Sequence, residues 1–272
     1  MLSISRAPTS TDNRDLEEKP ARDGESNVEW LARMKAREGL LLIGGASLSH
    51  FRIRIAQSHV RRDLLPSFWS VAGFLHDGAQ SVDTVSFNWG SHASTVPRSN
   101  AILTRPMTDY ADPTRYPNIA ILRFAADRRE VRKGIERVKA DRGIVDLPRL
   151  VVEWLGFVWG ARAKGNPLLE RMGVPSACFV EAAYAVAGIE LTPGLAAEAS
   201  CPEAIWQSAK WWRHYYEEVT REKKTDGARV PTGAYALRQP AAAVTDEDGQ
   251  GAAAPKAPGA VRRGARAPRR RR

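Results

Sequence analysis

Cysteine is scarce in this 272-residue sequence, which holds Cys178 and Cys201 and no other. Two thiols make neither a disulfide framework nor a zinc site by themselves, and they suit a reducing compartment. Long apolar runs are lacking too. The longest, Leu147 to Val158, is broken by Pro148, Arg149 and Glu153, too short and too charged to span a bilayer. The first 26 residues carry no continuous apolar stretch of the secretory kind. A soluble, cytoplasmic chain is expected. There is no P-loop, no GxGxxG after a strand, no HExxH and no paired CxxC, so no cofactor and no metal is expected. No internal repeat is present.

What is plentiful is positive charge, and its placement matters. The formal net charge is +10, yet seven arginines (Arg262, Arg263, Arg266, Arg269, Arg270, Arg271 and Arg272) fall in the last eleven residues. Without them the remainder carries +3. A mildly basic body with a strongly basic tail is expected, the tail able to contact nucleic acid or anionic lipid without sequence specificity.

The chain divides by composition. Residues 1–26 are polar and rich in Pro and charge, and residues from about 223 onward are rich in Ala, Pro and Gly and then Arg. Neither can bury a core, so both ends are expected to be disordered around one domain, 27–222. Inside it, Asn27 to Arg37 suits a short helix. Gly39–Gly45 (GLLLIGG) suits a buried strand, whereas His50–Asp63 alternates and then loses its pattern. Phe68–Leu75 suits a second buried strand, and Asp77-Gly78 a tight turn returning the chain through Ser81–Trp89. A loop-rich stretch follows, then a strand over Asn118–Phe124. Helices are expected over Asp127–Asp141, Leu147–Trp159 and Glu203–Glu218.

The stretch PSACFVEAAYAVAGIEL (175–191) organises the rest. With Ser176 as N-cap, Cys178 falls in the first helical turn, where free N–H groups and the macrodipole favour a thiolate. Phe179, Val180, Ala183, Tyr184 and Ala187 would dock the helix on a core. The competing reading is that Cys178 is a small buried filler.

Several segments, in order, resemble the circularly permuted papain-like amidases and peptidases, YiiX-like relatives of the NlpC-type cell-wall hydrolases. GLLLIGGAS (39–47) is similar to the family's opening strand, with Leu40 where the family has Asp. PSFWSVAGFLHDG (66–78) resembles its Trp-Ser-His strand and turn, and NIAILRF (118–124) its hydrophobic-Leu-Arg strand. GIVD (143–146), ACFVEAAYAVAGIEL (177–191) and CPEAI (201–205) resemble its later motifs. The resemblance covers about Gly39 to Ala209. It implies an α+β fold, a small antiparallel sheet packed on helices, with Cys178 as nucleophile.

The family's general base is a His after Trp-Ser. Here that column holds Ser70 or Val71, according to the alignment, and neither can take a proton from a thiol. His59 and His92, on loops, are candidate substitutes. His50 lies beside the first strand, and His76 lies about 20 Å along extended chain from the base column. Asp83 and Asp146 are candidate orienters of an imidazole, and Gln57 a candidate oxyanion donor. Three functions stay open. The first is a degenerate homologue, non-catalytic or weakly active, that binds a peptide or lipid in its cleft. The second is a cysteine hydrolase acting on an amide or ester through a Cys178 thioester. The third is an adaptor acting through the arginine tail. The rings of the 203–218 helix (Trp206, Trp211, Trp212, Tyr215 and Tyr216) suit core packing on one side and a protein or lipid partner on the other.

Overall fold

The structure, a computed structural model, describes residues 16–87, 99–124, 126–160, 165–221, 231–245 and 251–252, with only the backbone for 212–221 and 251–252. The fold is mixed α+β, built on a seven-stranded sheet. Its strands are β1 (Leu16–Glu18), β2 (Gly39–Gly44), β3 (Val71–His76), β4 (Ser81–Thr84), β5 (Leu103–Pro106), β6 (Asn118–Arg123) and β7 (Thr232–Leu237), in the spatial order β1-β7-β6-β2-β3-β4-β5. Every neighbouring pair is antiparallel except β1 with β7.

β2 is the centre of the sheet, and all six of its residues are buried. An uninterrupted apolar run is what a strand covered on both faces requires. Its odd and even residues sort into two cores. Leu40 and Leu42 join Ala72, Phe74, Ala120 and Leu122 beneath most of the helices. Leu41 and Ile43 join Val71, Leu75, Ile119 and Ile121 on the opposite face. That second face is closed by Trp30 and Leu31 of α1 (Asn27–Arg33) and by Met107 and Tyr110 of a 3₁₀ turn. Ser26 caps α1 reciprocally with Glu29, the two-way bond of a capping box.

The thicker layer holds α2 (Leu48–Ala56), α3 (Arg128–Ala140), α4 (Leu147–Val158), α5 (Pro175–Val186) and α6 (Pro202–Arg221). α3 follows its sequence pattern: Asp127 caps it, and Val131, Ile135 and Val138 face inward. α4 starts at Asp146 and buries Leu147, Leu150, Val151, Trp154 and Val158. Between β3 and β4 the chain turns through Asp77, Gly78 and Ala79, all with positive φ (51°, 70° and 73°).

Three expectations are corrected. The sheet is larger than a small antiparallel one, and its β1–β7 pair is parallel. The domain extends beyond 27–222, since β1 and β7 come from segments read as disordered. β7 pairs with β6 along its whole length, from Asn118↔Leu237 to Arg123↔Thr232, because β6 would otherwise expose an unpaired ladder. Arg238 ties the two ends together, donating to the Asn27 side chain at 2.6 Å and to the Glu25 carbonyl at 3.2 Å. Finally, the start of the 50–63 stretch, which alternates like a strand, is helical and belongs to α2. The rest of both terminal segments, including the arginines of 262–272, lies outside the described residues.

Candidate functional site

α5 begins two residues earlier than the sequence suggested. Val174 is the N-cap and Pro175 occupies the first turn, where its missing N–H costs nothing. Ser176 is therefore not the cap. Its hydroxyl turns onto the sheet and accepts a hydrogen bond from the Ala72 N–H at 3.1 Å. The Cys178 amide is consumed as well, donating to the Val174 carbonyl at 3.0 Å.

Cys178 itself is fully buried. Its thiol donates to the Ser200 carbonyl at 3.7 Å. Gly173 makes that approach feasible: a Cβ there would stand 2.4 Å from the Ser200 oxygen and 2.5 Å from the Cys178 sulfur. Burial, followed by the neighbouring Cys201 and Glu181, pushes this thiol well above the usual range. This burial favours the competing reading of Cys178, a small buried filler, over a thiolate. A helix terminus favours an anion only modestly, whereas taking an unpaired charge out of water costs several kcal/mol. Cys201 is buried too, pushed up to about 12, and accepts from the Ala204 N–H.

None of the described imidazoles is hydrogen-bonded to Cys178. His59, on a 3₁₀ turn, turns back onto the end of α2, its Nδ1 3.1 Å from the Ala56 carbonyl. Asp83 belongs to a different cluster, contacting Thr104, Lys139 (2.9 Å) and, at 3.5 Å, His76. Asp146 serves as the cap of α4, accepting from the Arg149 N–H. His92 lies outside the described residues. Gln57 is no oxyanion donor. It is buried, donates to the Ile53 and Trp69 carbonyls, and accepts from the Glu203 N–H at 2.8 Å. Glu203 in turn accepts from Ser67 at 2.6 Å, so this buried knot fixes α6 to the β3 lead-in.

The structure does bring one imidazole to the base column, from an unexpected place. His50 of α2 lies with Nδ1 2.9 Å from the Ser70 hydroxyl, which also accepts from the Gly45 N–H at 3.0 Å and faces the Ile43 carbonyl at 3.3 Å. The pleat separates the two candidate positions. Val71 packs with Ile43 and Leu75 in the core of the far face, whereas Ala72 packs under the helices with Cys178. An imidazole at position 71 would point away from α5.

The His50 ring rests directly on Gly45, where a Cβ would stand 2.3 Å from it. Its other neighbours are Tyr116, edge-on at 5.7 Å, and the guanidinium groups of Arg54 and Arg115. Burial first, then those two cations, pull its pKa down to about 4, so the ring is neutral near pH 7. Ser70 is itself 1% exposed. A weak base on an enclosed hydroxyl holds a corner together; it does not present a nucleophile.

The same corner is crossed by the chain's later part. Arg54 is fully buried and donates to the carbonyls of Ala241 (3.0 Å) and Ala243, while the Thr245 N–H donates to Ala46 at 2.9 Å. Burial lowers Arg54 to about 10, which leaves it charged. His50 and Arg54 were hidden in the sequence because FRIRI alternates like a strand. The available signal was Gly-Gly-Ala-Ser after a strand, with Ser47 at the N-cap of the following helix.

On α6, Trp206 is buried against Trp69 and Tyr235, whereas Trp211 is 51% exposed. Trp212, Tyr215 and Tyr216 have side chains outside the description. Among the described residues no group of His, Cys, Asp and Glu could hold a metal ion. No described helix is long and apolar enough to cross a membrane. Comparison with protein-family models, with curated proteins and with solved structures gives no match.

Proposed function

We propose that this chain is a non-catalytic recognition module on a papain-like frame in permuted order, rather than a cysteine hydrolase. The burial of the Cys178 thiol, held on the Ser200 carbonyl without an imidazole, carries this reading. A nucleophile must meet a carbonyl carbon, and it must be activated by a base or a lowered pKa. Cys178 has neither access nor activation. The Ser70–His50 pair supports the same conclusion, since a hydroxyl in the base column is engaged by three partners and shut from solvent. The ligand class that suits such a module is a peptide or lipid, met at the corner where His50 and Tyr116 are half-buried and Arg115 is exposed.

The test is alkylation by iodoacetamide across pH, with Cys201→Ser removing the second thiol. The folded protein is expected to resist labelling at every pH below its unfolding limit, and to label once denatured. Reactivity reaching a plateau below pH 7 would sink the proposal and restore the thioester hydrolase. Deleting residues 262–272 separates this reading from the adaptor reading: nucleic-acid or lipid contacts made by the arginine run alone vanish, and ligand binding at the corner stays.

A further inference from the structure

The exposed apolar side chains are not scattered. Nine large hydrophobic residues are exposed among the described ones, and seven of them lie on α2, the loop after it, α4 and the 3₁₀ turn Pro167–Glu170. Leu48 and Ile55 (each 46% exposed) share one stripe of α2 with Arg52, at helical spacings of four and three. Val152 (66%) on α4 and Trp159 (68%), its C-cap, are seven apart and form a second stripe. The two helices touch. Arg52 donates across the seam to the Val158 carbonyl at 2.8 Å. Leu169, 68% exposed, extends the face beyond the C-terminus of α2, where Asn166 donates to the Ala56 carbonyl at 2.7 Å. Leu64 and Leu65 project from the loop that follows α2.

The charge within this face is mostly of one sign. Arg52, Arg62, Arg149 and Arg171 stand on these elements against Glu153 and Glu170, while Arg61 and Asp63 neutralise each other at 2.5 Å. Exposed Leu, Ile and Trp side chains interleaved with arginines fit apolar tails lying beneath a layer of phosphates. We infer that the α2–α4 face docks on an anionic lipid bilayer. Trp159 and the leucines enter the boundary between headgroups and acyl chains, and the arginine stems lie along it with their guanidinium groups at the phosphates. The seven arginines of 262–272 add a second, purely electrostatic hold, and two weak signals together make a stable attachment.

The experiment uses the full chain, with vesicles of phosphatidylcholine alone and of phosphatidylcholine with phosphatidylserine. Flotation with the anionic vesicles is expected, and an Ile55→Ser, Trp159→Ser double variant is expected to lower the partition coefficient about tenfold. Both positions are exposed, so circular dichroism of the variant should match the parent. A separate Trp159→Cys variant carries an environment-sensitive dye, since Cys178 and Cys201 are buried. Its emission should shift to the blue on anionic vesicles. The inference is overturned if the double variant binds as the parent does while deletion of 262–272 abolishes binding, which would assign attachment to the tail alone. Equal binding to neutral vesicles overturns the anionic requirement. A concentration-dependent dimer that the double variant abolishes, with no vesicle binding, would make the face a self-interface and overturn it as well.

Discussion

Two corners of the molecule, the α5 end with Cys178 and the β2–α2 turn with His50, are built from opposite materials. Around Cys178 the packing is close: a glycine that admits no Cβ, a backbone carbonyl, a second buried thiol and the buried Glu181. Around His50 the groups are polar and partly open, with a hydroxyl, a phenol ring and two guanidinium groups. The comparison teaches that a thiol and an imidazole in one fold can each be committed to a separate set of neighbours. Each is held neutral, by burial in the first case and by burial with neighbouring cations in the second.

Substitutions rank this contrast. Gly173→Val is expected to have the largest effect, about 3 kcal/mol of stability lost in urea denaturation, because the new side chain starts inside contact distance of backbone and sulfur. A loss below about 1 kcal/mol would mean that the Cys178 corner is loosely packed after all.

Next comes acid. The folded protein keeps His50 neutral down to about pH 4, whereas the unfolded chain protonates the same ring near its ordinary 6.5. The unfolded state therefore binds the extra proton first, and stability falls as pH drops through that window. The loss is about 2 kcal/mol after allowance for solvent screening of a half-buried ring. Glu181 and Glu203, both raised by burial, act in the opposite direction. Thermal melts of His50→Gln should show a flatter acid limb than the parent, and an unchanged limb would remove His50 as its source.

Ser70→Ala strips the Gly45 N–H and the imidazole of a shared partner, for about 1.5 kcal/mol. The smallest effect belongs to Cys178→Ser, about 1 kcal/mol, since the hydroxyl keeps a donor toward the Ser200 carbonyl. If Cys178→Ser instead abolished a measurable activity while leaving the melt unchanged, the contrast between the corners would fail.

Much of the scaffold was legible in the residues. GLLLIG is apolar throughout and became the central strand; α3 announced itself through helical spacing, and α4 through an apolar stretch that read as buried on most sides, although Val152 on it is 66% exposed. α2 was not legible, because FRIRI has a strand-like alternation and its buried residues include a charged Arg54. β1 and β7 are edge-side strands of three and six residues with weak apolar content, formed to satisfy a neighbour's ladder rather than their own preference.

By itself the sequence determined which segments could be central strands and which face of α3 would turn inward, because period and apolarity are local properties of the chain. It also set the charge of the tail. Only the tertiary structure decided what Cys178 and His50 are. The first depends on Gly173 and Ser200 closing over the sulfur, the second on Ser70, Arg54 and Arg115 meeting around a ring. The ionisation of a side chain follows its desolvation and its neighbours' charges, and both are set by residues distant along the chain.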